Sequence, residues 1–255
     1  MKIIRFIVVC LIVFATLGVR AQAKTDYGRL EAKAERFVQL QEWNSANAMY
    51  ILMQEARPDD AVPYSKAIVS SGMLEDKKAQ LDMLERTQKR GIPMDSVFDG
   101  VRKFSFEIGQ ARKYEEFLNL VKERQIWIAR NINTRLLKYY DFRNDATNMV
   151  NIGSELLSAT PDNIEYLLVV ARGYMIKGDY ENAVAKYKKV LELEADNYDA
   201  LVALGNYYYV MWKASEGTRS QMSSMKTDAL IYLNKANEIR PTDFVGKIIS
   251  ELSRP

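Results

Sequence analysis

The stretch GDYENAVAKYKKVLELEADN, Gly178 to Asn197, decides the fold. Ala183, Tyr187 and Val190 recur at three- and four-residue intervals, which gives a helix one apolar face. Gly178 stands where a preceding helix would stop, at a position that favours positive φ. Asn197 precedes the next apolar run, where a helix N-cap belongs. Nothing in the stretch is chemically reactive. Extended backwards to Ile164 it becomes IEYLLVVARGYMIKGDYENAVAKYKKVLELEADN, 34 residues. Two helices joined by a tight turn fit it, with Leu167, Val170, Ala171 and Tyr174 on the first helix.

The same spacings recur on both sides. From Tyr198, the first helix carries Leu201, Leu204, Gly205 and Tyr208, the second carries Ala229, Leu233 and Ala236, and Pro241 follows. Residues 130–163 carry Leu136, Leu137 and Tyr140 and end in TPDN. Residues 27–60 carry Leu30, Ala34, Phe37, Trp43, Ala46 and Tyr50 and end in RPDD. Between them, 61–129 holds two degenerate units, the second with Phe104, Ile108, Tyr114, Phe117 and Val121. This pattern resembles the tetratricopeptide repeat, although Ala195 stands where that family usually has proline. The resemblance implies an all-α fold: a right-handed α-solenoid of about six helix hairpins plus a C-terminal capping helix. The expected units are 27–60, 61–94, 95–129, 130–163, 164–197 and 198–243, with the cap at 244–255, all within one domain over 24–255.

Packing physics accounts for the residue types. Ala171 and Gly205 let two helices approach closely, and the aromatics at 174, 187 and 208 fill the space that remains. No unit can bury its own apolar faces, so each must lean on a neighbour, at about 1.5–3 kcal/mol per large buried side chain. In the final DFVGKIISELSRP, Phe244, Ile248, Ile249 and Leu252 form an expected buried stripe, with Lys247, Ser250 and Glu251 opposite. The last unit is irregular: Tyr208 to Ala229 is 21 residues, whereas Tyr174 to Ala183 is 9. The extra residues lie within VMWKASEGTRSQMSSMK. They form either a lengthened helix with a solvated loop, or a second partner contact through Trp212, Met222 and Met225.

The first residues have the order of a secretory signal peptide: Lys2 and Arg5, then apolar FIVVCLIVFATL, then small residues. Cleavage after Ala23 or Ala21 is expected. An uncleaved anchor would need about 20 apolar residues, more than this run provides. Lipidation of Cys10 would require small residues before it, and FIVVC lacks them. The chain has 36 basic and 33 acidic residues, and 1–23 contain Lys2, Arg5 and Arg20 and no acid. The processed chain is therefore neutral, which gives no bulk attraction to nucleic acid or anionic lipid. It also lacks cysteine and histidine, which removes disulfides, thiol nucleophiles, cysteine-ligated metals and imidazole acid–base chemistry. Nucleotide-binding, hydrolase and histidine-metal motifs are absent, so no cofactor and no catalytic residue is expected.

The resemblance implies a protein or peptide partner held along the first helix of each unit. The family's partner-facing positions fall here on Arg102 and Lys103, then Asn131, Thr134, Arg135 and Lys138, then Arg172 and Met175, then Asn206 and Tyr209. That stripe is basic and polar, which suits an acidic or carboxylate-ended peptide; the alternative is an ordinary solvated face. The chaperone-binding clamp of the family is disfavoured, because Phe106, Glu165 and Val169 stand where it needs polar or basic groups. In KYYDF and NYYYV, Tyr140 and Tyr208 fall on core positions, and Tyr139, Tyr207 and Tyr209 are expected to face outward. The expected function is a non-enzymatic periplasmic or envelope-associated scaffold. The alternatives are an accessory subunit of an outer-membrane assembly or nutrient-uptake complex, and a glycan-active enzyme on a helical superhelix.

Overall fold

The structure, a computed structural model, describes residues 26–124, 129–214 and 218–254. The leader and its cleavage sites lie outside these residues. The described residues contain helix and no strand. They form α1 (26–39), α2 (Trp43–Ala56), α3 (Ala61–Met73), α4 (Lys77–Lys89), α5 (Met94–Glu107), α6 (Ala111–Arg124), α7 (Ala129–Arg143), α8 (Ala146–Ala159), α9 (Ile164–Lys177), α10 (Tyr180–Leu193), α11 (Tyr198–Ala214), α12 (Arg219–Ile239) and α13 (Asp243–Leu252). The chain divides into two compact units, Met1–Trp127 and Ile128–Pro255, where the sequence suggests one array.

One turn closes five hairpins. Gln41, Glu75, Gly109, Asn144 and Gly178 all have positive φ, between 52° and 76°. Each occupies the same place between the two helices of its hairpin. The amide of each bonds the carbonyl three residues back, and the next amide bonds five back, as in Gly178 to Met175 at 3.1 Å and Asp179 to Tyr174 at 3.0 Å. This paired bonding is the Schellman motif. Only two of the five residues are glycine, so three side chains adopt a left-handed conformation that costs them roughly 1–2 kcal/mol. Glu75→Gly is therefore expected to stabilise the first unit by about 1 kcal/mol, since strain relief exceeds the added freedom of the unfolded chain. Chemical denaturation measures this, with a rise in midpoint as the expected result.

The hairpins are capped and clasped by recurring groups. Asp60, Asn163 and Asn197 accept amide hydrogen bonds from Val62, Tyr166 and Ala200 at 3.0, 3.0 and 3.1 Å. Arg57 stacks 3.9 Å over the Tyr27 ring, and Arg240 stacks 3.7 Å over the Tyr198 ring. In both cases the C-cap arginine of the second helix folds onto the aromatic that opens the first. Tyr27 also donates to Asp60 at 2.8 Å, which ties α1 to the start of α3.

Within each unit, a second helix packs on the first helix of the next hairpin: α2 on α3, α4 on α5, α8 on α9, α10 on α11 and α12 on α13. First helices also touch in sequence, α3 with α5, α7 with α9 and α11 with α13. Close approach uses small residues. A Cβ on Gly205 would stand 2.5 Å from Leu233 Cγ and 3.3 Å from the Leu233 amide nitrogen. Ala171 is fully buried, and so are Ala183, Ala200, Ala229 and Ala236.

Two expectations are corrected. In α13 the buried stripe is Val245, Ile248 and Leu252, and Phe244 is 54% exposed. Ile248 and Leu252 are buried as expected, and Val245 takes the place expected of Phe244. Tyr139 is buried beside Tyr140, their rings 5.6 Å apart, instead of facing outward. The insert agrees with the lengthened-helix alternative: α11 extends to Ala214 and α12 begins at Arg219.

Candidate functional site

In the second unit, α7, α9 and α11 lie side by side and leave a cleft between each pair. The α7–α9 cleft, about 140 Å3, is lined by Thr134, Leu137, Lys138, Asp141, Glu165, Tyr166, Leu168, Val169 and Arg172. The α9–α11 cleft, about 340 Å3, is lined by Leu168, Arg172, Tyr187, Tyr198, Asp199, Val202 and Ala203. Leu168 and Arg172 form the ridge between them. The clefts are equivalent because the hairpins repeat: residues on the first helix at matching positions line both.

The charges on this face serve the helices themselves. Lys138 on α7 meets Glu165 on α9 at 3.1 Å. Asp141 on α7 accepts from Arg172 on α9 at 2.7 Å. Thr134 and Tyr166 share a hydrogen bond at 3.0 Å. One turn of repeat further on, Tyr209 of α11 donates to Glu251 of α13 at 2.6 Å, and Lys213 reaches the same carboxylate at 2.9 Å. Tyr209 and Lys213 together hold the Glu251 carboxyl below the usual carboxylate range, and Glu251 first, then Tyr209, raises the Lys213 ammonium. Exposed pairs such as Lys138–Glu165 contribute about 0–1 kcal/mol each, so they set helix registration more than stability. Beneath them, burial raises the Tyr187 phenol above its ordinary value and keeps it neutral.

The basic stripe expected from the sequence is therefore divided. Lys138 and Arg172 border the clefts, but each is joined to a carboxylate from a neighbouring helix. Arg135 is half-buried and Asn131 is exposed. Asn206 is half-buried, and Tyr209 is tied to α13. Arg102 and Lys103 are exposed on α5 in the first unit, where Lys103 pairs with Glu107 at 3.8 Å. Trp212 is half-buried against the cluster of Ala229, Leu233, Val245, Ile248 and Leu252. Its ring lies 6.3 Å from Tyr209, with Lys226 at 6.0 Å. It thus makes an internal contact, while Met222 and Met225 remain half-buried on the lengthened α12. Among the described residues, no group of three or more acids, histidines or cysteines is placed to hold a metal, and no helix is long and apolar enough to cross a membrane.

Sequence reading missed the first hairpin. The positions that Leu168, Arg172 and Tyr187 hold in the fifth hairpin fall here on Glu31, Glu35 and Tyr50. Tyr50 is 1% exposed, and its hydroxyl has no hydrogen-bond partner among the described residues. Burial, then the carboxylates of Glu35 and Glu31, push its pKa up. Lys66 on α3 stands 5.9 Å from the Tyr50 ring and 5.5 Å from the Phe104 ring. Carrying the partner-facing positions onto every unit would have found Glu31 and Glu35.

These features define an all-α protein of helical-hairpin repeats with clefts between its first helices. The family model described as TPR repeat matches residues 171–211, so the chain carries a tetratricopeptide repeat at α9–α11. The solved structures similar to it include the C-terminal part of a TPR repeat-containing protein from Cytophaga hutchinsonii. That match is 13% identical with a TM-score of 0.47, and covers 86% of this chain and 94% of that one. PilF of Pseudomonas aeruginosa is 11% identical with a TM-score of 0.47, over 90% of this chain and 98% of its own. A tetratricopeptide repeat protein from Parabacteroides merdae is 10% identical with a TM-score of 0.41, over 90% of this chain and 100% of its own. Comparison with curated proteins gives no match.

Proposed function

We propose that this protein is a non-catalytic, exported scaffold of the cell envelope that binds a protein or peptide segment across α7, α9 and α11. The observation that carries the reading is the pair of equivalent clefts, one repeat apart, each with an apolar floor and a polar rim. An extended segment lying across the ridge of Leu168 and Arg172 would place one side chain in each cleft. Affinity comes chiefly from the apolar floors. An acidic or carboxylate-ended segment would have to exchange with Asp141 for Arg172 and with Glu165 for Lys138, so anion preference on this face requires those ladders to open. The leader, with its basic start and short apolar run, supports export.

Photo-crosslinking in envelope extracts tests the binding. A crosslinker at residue 203 is expected to capture a defined partner, and one at residue 185, exposed on α10, is not. Ala203→Trp fills the larger cleft and is expected to cut capture at least tenfold without changing the thermal midpoint. Equal capture from both sites, or full capture by Ala203→Trp, contradicts the reading. Release by osmotic shock is the expected fractionation result; salt-resistant membrane association would favour an accessory subunit instead.

A further inference from the structure

The two clefts of the second unit differ at one matched pair of charges. Lys138 and Arg172 hold the same position on α7 and α9, 34 residues apart, and so do Glu165 and Asp199 on α9 and α11. In the α7–α9 cleft the pair is closed, with Lys138 on Glu165 at 3.1 Å. In the α9–α11 cleft it is open. Arg172 bonds Asp141 on α7 instead, at 2.7 Å through one nitrogen. The rest of its guanidinium has no hydrogen bond among the described residues, and the Asp199 side chain has neither an ion pair nor a hydrogen bond there. The open cleft is also the larger, about 340 Å3 against about 140 Å3.

A third polar group lines the same cavity. Tyr187 of α10 is only 6% exposed, and its hydroxyl has no hydrogen-bond partner among the described residues. Unlike that of Tyr50, its oxygen is not sealed from solvent. Burial raises its pKa most, the Arg172 charge lowers it, and Asp199 and Asp141 raise it, so the phenol lies in the field of all three. The cavity therefore offers donors from α9 and α10 and a carboxylate acceptor from α11, beside the apolar Leu168 and Val202. Its complement has to accept at one end and donate at the other. A carboxylate would accept from Arg172, but it has no proton for Asp199 and would meet two aspartates as like charges. An ammonium would reach Asp199 and leave the Arg172 and Tyr187 donors unmatched, beside a guanidinium of its own sign. An apolar group would leave all three unpaired. A hydroxyl presents both functions at one atom, whereas these partners stand on different helices. A primary carboxamide is neutral and carries a carbonyl acceptor and an NH2 donor on one planar group.

We infer that the α9–α11 cleft is a pocket for the side-chain carboxamide of a glutamine or asparagine in the partner segment, with Arg172 and Tyr187 donating to its carbonyl and Asp199 accepting from its NH2. The inference rests on the peptide-scaffold reading and gives that partner a neutral polar residue at this cleft. It replaces the acidic ligand that the sequence suggested, because the arginine that pointed to one shares its surroundings with two aspartates. The neighbouring α7–α9 cleft has the matching pair closed, so the selection belongs to one repeat.

The test uses the full chain and four immobilised nonapeptides of alanine and serine, capped at both ends and identical except for a central glutamine, glutamate, lysine or norleucine. The glutamine peptide is expected to be retained at least tenfold more than each of the other three. Tyr187→Phe, which removes one oxygen and keeps the ring, lowers that preference by about threefold. Asp199→Ala brings it below twofold. Asp199 is exposed and its side chain bonds nothing else among the described residues, so this variant keeps its thermal midpoint. Equal retention of the four peptides, or of none, overturns the inference. Stronger retention of the glutamate or lysine peptide does the same, as does a glutamine preference that survives both substitutions. In each of these cases, partner capture from residue 203 in envelope extract leaves the scaffold reading standing, and loss of that capture overturns the scaffold reading as well.

Discussion

Leu233→Ala is expected to destabilise the second unit by about 2–5 kcal/mol, a fall in thermal midpoint of roughly 5–15 °C. Leu233 is fully buried where three helices meet. Its side chain fills the space over Gly205 on α11, and it shares a cluster with Val245, Ile248 and Leu252 of α13. Truncation leaves a cavity that helix α12 cannot close without losing its contact with α11. The converse change tests the same contact from the other side. Gly205→Leu forces a side chain into atoms of Leu233, one of them backbone, at a cost of about 1–3 kcal/mol. Because the two sites share one volume, their effects are not additive. Gly205→Ala is expected to cost less in a Leu233→Ala background than alone. Calorimetry of the four proteins checks this, and additive shifts would show that the two helices do not meet at Gly205.

Helix positions were legible in the sequence because the repeat writes each one several times. Ala171 and Gly205 mark close approaches, Asn163 and Asn197 mark helix starts, and all four behave as their chemistry dictates. What was less legible depends on geometry that residue type reports only weakly. The left-handed turn position is announced by Gly178 but hidden at Gln41 and Glu75, where backbone bonding imposes a conformation the side chain disfavours. In α13 Val245 is buried where Phe244 was expected, because both are apolar and only the packing against α12 decides between them. Tyr139 was placed outside for a similar reason: the pattern allows one tyrosine of a pair in the core, and the packing takes both.

The charged face shows the deeper limit. Lys138, Arg172 and Tyr209 occupy positions where the resemblance implies ligand contact, and by residue type the first two give that stripe a basic character. Whether a cation is available depends on what stands one repeat away. Glu165, Asp141 and Glu251 stand there, contributed by helices that are distant in sequence and adjacent in space. On α1 the partner-facing positions hold acids instead of cations, Glu31 and Glu35. Charge along the sequence is thus a poor guide to charge offered to a partner: the offered charge is what remains after neighbouring repeats have bonded to each other.

The same accounting predicts how α13 is held. Leu252→Asp is expected to detach that helix while the rest of the second unit stays folded. Leu252 is fully buried in the cluster that joins α13 to α11 and α12. A carboxylate there has no partner, and the penalty of several kcal/mol for an unpaired buried charge exceeds what a short helix can offset. A helix of ten residues has little stability of its own in water, so once undocked it unfolds. Release exposes Trp212, which packs against the same cluster, and it breaks the bonds from Tyr209 and Lys213 to Glu251. The chain has three tryptophans, and the other two, Trp43 and Trp127, precede the second unit, so a red shift in emission reports on Trp212. Limited proteolysis should then cut near Lys247 at a rate at least tenfold above wild type. Lys247→Asp, a charge reversal on the exposed side of the same helix, should change neither signal. An unshifted emission spectrum in Leu252→Asp would mean that Trp212 is held by α11 and α12 alone, and that α13 does not seal the end of the array.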